Sequence, residues 1–157
     1  DSLYRYFVGK VDADQDAEDL IQNTLLACVK YIDKLAAAGS FKAYLFTIAT
    51  NQLYAHLRRH LREGEHIDFT VTSAVDLGLS PSGHVAQLER DAQLEAALRQ
   101  LPLELELVLE LVFWEELSAR EIAAVLDVPV GTAKSKIRRA KQLLASKLPE
   151  DAQVRPS

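Results

Sequence analysis

Between Asp16 and Leu35 the apolar residues fall at Leu20 and Ile21, Leu25, Cys28, Tyr31 and Ile32, and Leu35. Steps of three and four place them on one stripe of a helix. Acidic residues crowd its start, where they suit the positive end of the helix dipole. Gly39 and Ser40 stop the pattern. A second stripe then runs through Phe41, Tyr44 and Leu45, Ile48 and Ala49, Leu53 and Leu57. That helix closes in "RRHLREG", with basic residues and Gly64 where a helix C-terminus favours them.

From Glu65 to about Gly83 the period lapses into Gly, Pro, Ser and β-branched residues without partner strands, which reads as a linker. Helical spacing resumes in "HVAQLERDAQLEAALRQL". Pro102 suits the first turn of a following helix, Leu103 to about Glu116. Ser118, with Glu121 three residues on, predicts a capping box at the head of a short helix, Ala119 to Leu126. "DVP" makes a tight turn. A last helix opens near Pro129 and runs to about Lys147, with Val130, Ile137, Ala140 and Leu144 facing inward. The expected fold class is all-α. Two small helical domains, 1–63 and 84–148, are joined by a flexible linker over 64–83 and followed by a tail over 149–157.

Composition narrows the class. At 48% hydrophobic and 26% charged, the chain can bury a core. The single cysteine, Cys28, cannot form an internal disulfide, which fits a reducing compartment. No apolar run approaches the roughly 20 residues that span a bilayer, and "DSLYRYFVGK" lacks a signal peptide's apolar core. A cytoplasmic location without membrane insertion is expected. The chain begins without Met, so residues preceding Asp1 are expected.

Charge then singles out one element. The chain carries a formal net charge of -5, yet "PVGTAKSKIRRAKQLLASKL" holds Lys134, Lys136, Arg138, Arg139, Lys141 and Lys147 and no acid. Short helix, turn and second helix form the helix-turn-helix pattern, and the basic residues lie on its second helix. Arg and Lys donate to base edges and phosphates, and Ser and Thr add short contacts. Gly131 and Thr132 sit where free backbone N–H groups favour a phosphate. The plain alternative is a solvated helix face; the capped preceding helix, the turn and the absence of acids together favour DNA. His56 and His60, four apart, lack a third metal ligand and sit beside Arg58 and Arg59. No glycine-rich phosphate loop occurs, and Cys28 lies on an apolar stripe without a base beside it. An enzyme, a metal site and a cofactor are therefore not expected.

"LSAREIAAVLDVPVGTAKSKIRRAKQLL" resembles the C-terminal DNA-binding domain of bacterial sigma factors of the extracytoplasmic-function (ECF) type. "DAEDLIQNTLLACVKYI" followed by "GSFKAYLFTIATNQLYAHLRRH" resembles the N-terminal domain of the same family. The resemblance implies a sigma region 2-like bundle and a sigma region 4-like helix-turn-helix. It also implies a transcription initiation factor that binds core RNA polymerase at the clamp helices and flap, and an anti-sigma factor as a further partner. Carried over by position, it puts Lys134, Ser135, Arg138 and Arg139 toward the -35 element of promoter DNA, with Gly131, Thr132 and Lys136 near phosphates. It assigns Tyr44, Phe46 and Asn51 to the unpaired strand at the -10 element, and Asp19, Gln22, Asn23 and Leu25 to the polymerase.

Aromatic side chains stack on unpaired bases. Tyr44 and Phe46 are two apart, so they should not share one inward stripe. Phe41, Leu45 and Ile48 are expected in the core, and at least one of Tyr44 and Phe46 outside it. The chain departs from the family at several positions: Leu35 to Ala38 stands where an aromatic and an Arg-Gly-acid run are common, Thr47 where an Arg is, Asn23 where a Glu is, Leu25 where a Phe is, and Asp127 where a Gly is usual. Ala36 to Ala38 offer no side-chain donors for a flipped base. An alternative function follows: a sigma-like decoy that binds an anti-sigma factor without opening promoters.

Overall fold

The computed structural model describes residues 2–60, 66–79 and 92–148; the first and last of these segments are helical apart from turns, and 66–79 is built of turns and irregular backbone. The elements are α1 (Ser2–Val8), α2 (Asp14–Lys30), a 3₁₀ turn (Ile32–Lys34), α3 (Leu35–Ala38), α4 (Phe41–His60), α5 (Ala92–Leu98), α6 (Leu103–Phe113), α7 (Ala119–Leu126) and α8 (Val130–Lys147). Gly64, the start of the helix expected from His84, and the tail from 149 lie outside the described residues. A lone antiparallel bridge, Ser73 to Pro102, is the one extended pairing among the described residues.

Helix α4 is the axis of the N-terminal half. It packs against α2 on one side and against α7 on another. Its buried residues are Ala43, Tyr44, Phe46, Ala49, Thr50, Leu53, His56 and Leu57. Two expectations are corrected here. Phe41 is 56% exposed, not core, and both Tyr44 and Phe46 are buried, at 4% and 1%. The two-apart rule assumes a helix with one inward stripe, whereas α4 has two. The Tyr44 hydroxyl donates to the Cys28 carbonyl of α2. Phe46 packs edge-on against Tyr6 of α1, with centroids 5.0 Å apart. Thr50 donates to the Phe46 carbonyl at 2.7 Å, so its oxygen accepts the Tyr6 hydroxyl, also at 2.7 Å. Gly39, at φ 85, takes the left-handed conformation that ends α3, a conformation glycine adopts without strain.

Residues 66–79 were expected to be a flexible linker; they are instead seated in the core. Ile67, Phe69, Ala74, Leu77 and Leu79 are buried in a cluster continuous with both halves. Phe69 stacks on Tyr54 of α4 with centroids 4.2 Å apart. Reciprocal bonds, Ser73 N to Asp76 and Asp76 N to Ser73 Oγ, both 3.0 Å, close the turn. The segment also caps α6: Leu103 N donates to Thr72 O at 2.8 Å and Glu104 N to Phe69 O at 3.1 Å. These satisfy N–H groups that a helix start leaves open. Such a segment has no helical period because turn and side-chain hydrogen bonds, not an amphipathic face, hold it.

The C-terminal half follows its expected pattern closely. Ser118 accepts from Glu121 N at 3.1 Å and Ser118 N donates to Glu121 Oε1 at 2.9 Å, completing the capping box. Asp127 turns the chain at φ 56, a conformation Asp tolerates better than most residues. On α8 the inward residues are Ala133 and Ala140, fully buried, with Ile137 and Leu144 partly so. Val130 is 37% exposed, so the stripe starts at Ala133 rather than at Val130.

Candidate nucleic-acid and partner interfaces

The capping box and the Asp127 turn fix α7 against α8, and α6 closes the other side of α8. Small residues at Ala133 and Ala140 let α8 sit close to its neighbours. Its remaining circumference faces solvent. Gly131, Thr132, Lys134, Ser135, Arg138 and Arg139 are all exposed there. The sequence reading missed Gln142, which is exposed and shares a shallow groove of about 400 Å³ with Lys134, Arg138 and Lys141. Lys141 also lies over the Phe113 ring, 5.7 Å from its centroid.

Lys136 behaves differently. Expected near phosphates, it is partly buried, and its amine sits 2.6 Å from Glu104 Oε1 of α6. It therefore fastens α8 to α6. The spacing signals its side of the helix, though not its partner: Lys136 stands three after Ala133 and four before Ala140, next to the buried line, whereas Ser135 and Arg139 lie together across from it.

The face assigned to the unpaired strand is only partly open. Asn51 is exposed, and with Tyr44, Thr47 and Gln52 it lines a cleft of about 620 Å³. Tyr31 and Lys34 extend this wall; Ala124 and Asp127, from α7 and its turn, lie across it. Phe46 is enclosed in the core and does not reach the cleft. Burial, with Cys28 and Asp33 nearby, holds the Tyr44 phenol above its usual range, so the hydroxyl stays protonated as a donor. Thr47 donates to the Ala43 carbonyl at 2.6 Å.

On α2, Asp19, Gln22 and Asn23 are exposed, and Leu25 is half-exposed. They border an apolar strip that the sequence reading missed. Leu26 is 69% and Val29 75% exposed, and Ile32 continues the strip. Val29 stands four after Leu25 and three after Leu26, so the three share one side of α2, and Ile32, three further on, follows in the 3₁₀ turn. Isolated exposed apolar residues are ordinary, but a contiguous strip marks a contact surface. Among the described residues no helix is long and apolar enough to cross a membrane, and no group of three His, Cys, Asp or Glu side chains is placed to hold a metal ion.

A helix-turn-helix with an acid-free outer face, joined to a helical bundle with an apolar contact strip, defines a two-part DNA-binding transcription factor. Family comparisons agree: Sigma-70 region 2 matches residues 1–63 and Sigma-70 region 4 matches residues 91–144. The chain is 34% identical over 145 residues to the ECF RNA polymerase sigma factor EcfG of Rhodopseudomonas palustris, covering 92% of this chain and 78% of that protein. It is 27% identical over 157 residues to the ECF RNA polymerase sigma factor SigW of Bacillus subtilis, covering 94% and 83%. The sigma factor RpoE of Bartonella quintana, solved in complex with the anti-sigma factor NepR, superposes with a TM-score of 0.66 at 26% identity, covering 93% of this chain and 89% of that one. The chain belongs to the ECF family of RNA polymerase sigma factors, and is a transcription initiation factor.

Proposed function

We propose that this chain carries core RNA polymerase to promoters, reading the -35 element with α8 and receiving the unpaired -10 strand on α4. The observation that carries the reading is the exposed, acid-free face of α8 on a fully capped helix-turn-helix. Ser135, Arg138 and Arg139 present base-edge donors, and Lys134 and the helix start at Gly131 and Thr132 meet the backbone. On α4, Asn51 is the exposed group able to read a base edge, with Tyr44 at the wall of the cleft. The α2 strip, Leu25, Leu26 and Val29 beside Asp19, Gln22 and Asn23, is the polymerase contact. The factor acts in the cytoplasm, catalyses no reaction of its own, and is held in check by an anti-sigma factor, as RpoE is bound by NepR. Domain limits of 1–63 and 84–148 serve this division of labour.

The decoy reading keeps one supporting observation. Phe46 is buried and Ala36 offers no side-chain donor, so the -10 face is poorer than its counterpart on α8. Transcription in vitro separates the two. Sigma-free core polymerase plus this chain, on fragmented DNA from its own source, should give starts sharing two upstream motifs. Core binding without starts would favour the decoy.

A further inference from the structure

Two buried cations of this chain are engaged by the chain itself. Lys10, just past α1, meets Glu110 of α6 at 2.6 Å, and Glu106, also buried, lies beside this pair. Arg99, between α5 and α6, donates to the carbonyls of Gly9 and Leu79. The cleft beside α4 is furnished differently. Asn51 and Gln52 bring two carboxamides to it, Asp127 a carboxylate and Lys34 an amine. The carboxamides and the carboxylate hydrogen-bond no other side chain among the described residues, so their bonding capacity is open to a ligand.

The fold fixes where each group stands. Ile48, Asn51 and Gln52 follow at steps of three and four along α4, so they share one side of it. Ala27, Ile48 and Ala124 give the cleft apolar ground. At one end Tyr31 is 44% exposed, with the ammonium groups of Lys30 and Lys34 5.3 and 5.5 Å from its ring centroid. Neither lysine forms an ion pair with an acid among the described residues, so positive charge collects there. Asp127 stands on the facing wall, held at φ 56 by the turn after α7. The cleft's volume of about 620 Å³ suits one small molecule. A cationic end, amides between and a carboxylate opposite fit a planar ligand with an anionic tail. A carboxylate can only accept. Guanine offers it two donors side by side, the N1 hydrogen and the N2 amino group; adenine offers a donor beside an acceptor, the pattern that a carboxamide matches.

We infer that this cleft binds a free guanine nucleotide, its base edge on Asp127, its polar ring atoms and sugar against Asn51 and Gln52, and its phosphate at Lys34. Binding needs the cleft alone. An occupant also covers Asn51 and so competes with an unpaired DNA strand; that consequence rests on the role proposed for α4.

The test is calorimetric titration of the full chain with GMP, AMP and inorganic phosphate. GMP should bind saturably, one per chain, and at least tenfold more tightly than either of the others. Asp127→Asn should keep the fold, because Asn takes the left-handed conformation as readily as Asp, and an unchanged melting midpoint checks this. The variant should lose at least tenfold in GMP affinity and turn its preference toward AMP, a reversal that damage to the fold would not produce. Lys34→Gln should weaken GMP several-fold and leave guanosine unaffected. No saturable GMP binding, equal affinity for GMP and AMP, or GMP affinity indifferent to Asp127→Asn overturns the inference. So does a single-stranded oligonucleotide with one guanine that binds at least tenfold more tightly than GMP with the same Asp127 dependence, since the cleft is then a strand pocket. The consequence is read separately, by permanganate footprinting of promoter opening with core polymerase and no triphosphates. GMP should reduce opening by the wild-type chain and not by the Asp127→Asn chain. GMP binding as expected with opening unchanged upholds the site and counts against α4 as the strand-receiving face.

Discussion

Helices α4 and α8 both carry residues assigned to nucleic acid, and they are built on opposite plans. Helix α8 buries a narrow line, Ala133 and Ala140 with Lys136, Ile137, Leu143 and Leu144 partly buried beside them, and gives the rest of its surface to solvent. Helix α4 is enclosed on two sides, by α1 and α2 and by α7. A helix with one buried line declares its outer face in its sequence. A helix at the centre of a bundle does not, because residues two apart can both be core, as Tyr44 and Phe46 are.

The largest expected effect tests that division within α4. Phe46→Ala removes an enclosed aromatic ring and should cost about 3–5 kcal/mol of unfolding free energy. Asn51→Ala, on the exposed side, should change stability by no more than about 0.5 kcal/mol, while impairing promoter opening. Denaturant titration of both variants measures the first claim. Equal losses of stability would mean that α4 has no free face.

Next in size is the outer face of α8. One good bidentate contact is worth about 1–3 kcal/mol, so Arg138→Ala with Arg139→Ala should lower affinity for the -35 element on the order of a hundredfold, or about 2.7 kcal/mol. Affinity for core polymerase should be unchanged, since α2 lies elsewhere. Lys136→Ala should instead weaken the α6–α8 contact and leave base preference intact. Promoter shift assays with altered -35 sequences read both. A Lys136 variant that relaxed base preference would return that residue to the groove.

The same contrast explains what was legible beforehand. Ser118 and Glu121, the Asp127 turn and the acid-free helix are short-range signals, and each stands in the structure as its sequence implies. Long-range placements were not legible. Nothing local to Lys136 names Glu104, thirty-two positions away, and nothing local to Lys10 names Glu110. Residues 66–79 looked like a linker because their order comes from turn bonds and from Phe69 stacking on Tyr54, neither of which leaves a periodic trace. The strip at Leu26 and Val29 was hidden for a related reason. An apolar residue at helical spacing reads as core unless a neighbouring element is known to be absent.

Between the two helices lies the buried charge cluster, and its effect should be smaller because Lys10 and Arg99 offset part of the burial cost. Desolvation pushes the Glu106 carboxyl up from 4.5 to about 8, with Lys10 opposing and Glu110 adding to the rise. One of its oxygens, Oε1, has no hydrogen-bond partner among the described residues. The folded chain therefore holds a proton between about pH 4.5 and 8 that the unfolded chain has released. Stability should fall as pH rises through that window and level off above it. Glu106→Gln should flatten the slope in melts taken across it. A wild-type slope in the variant would mean that Glu106 does not carry the proton.

The smallest effect asks whether the two halves share one fate. Glu121 accepts from Ser118 N within α7 and from Ser40 across the boundary, contacts that hold its carboxyl below the usual range. Ser118→Ala removes the helix cap and should cost about 1 kcal/mol. Ser40→Ala removes the partly exposed crossing bond and should cost about 0.5–1 kcal/mol. If the halves unfold together, both losses appear in one transition and shift its midpoint without changing its slope. If α7 and α8 unfold alone, Ser118→Ala lowers an early transition in helical signal, while Ser40→Ala leaves the isolated helix-turn-helix transition in place and advances only the separation of the halves. Circular dichroism and the fluorescence of Trp114, which lies at the end of α6, should therefore coincide in the first case and diverge in the second.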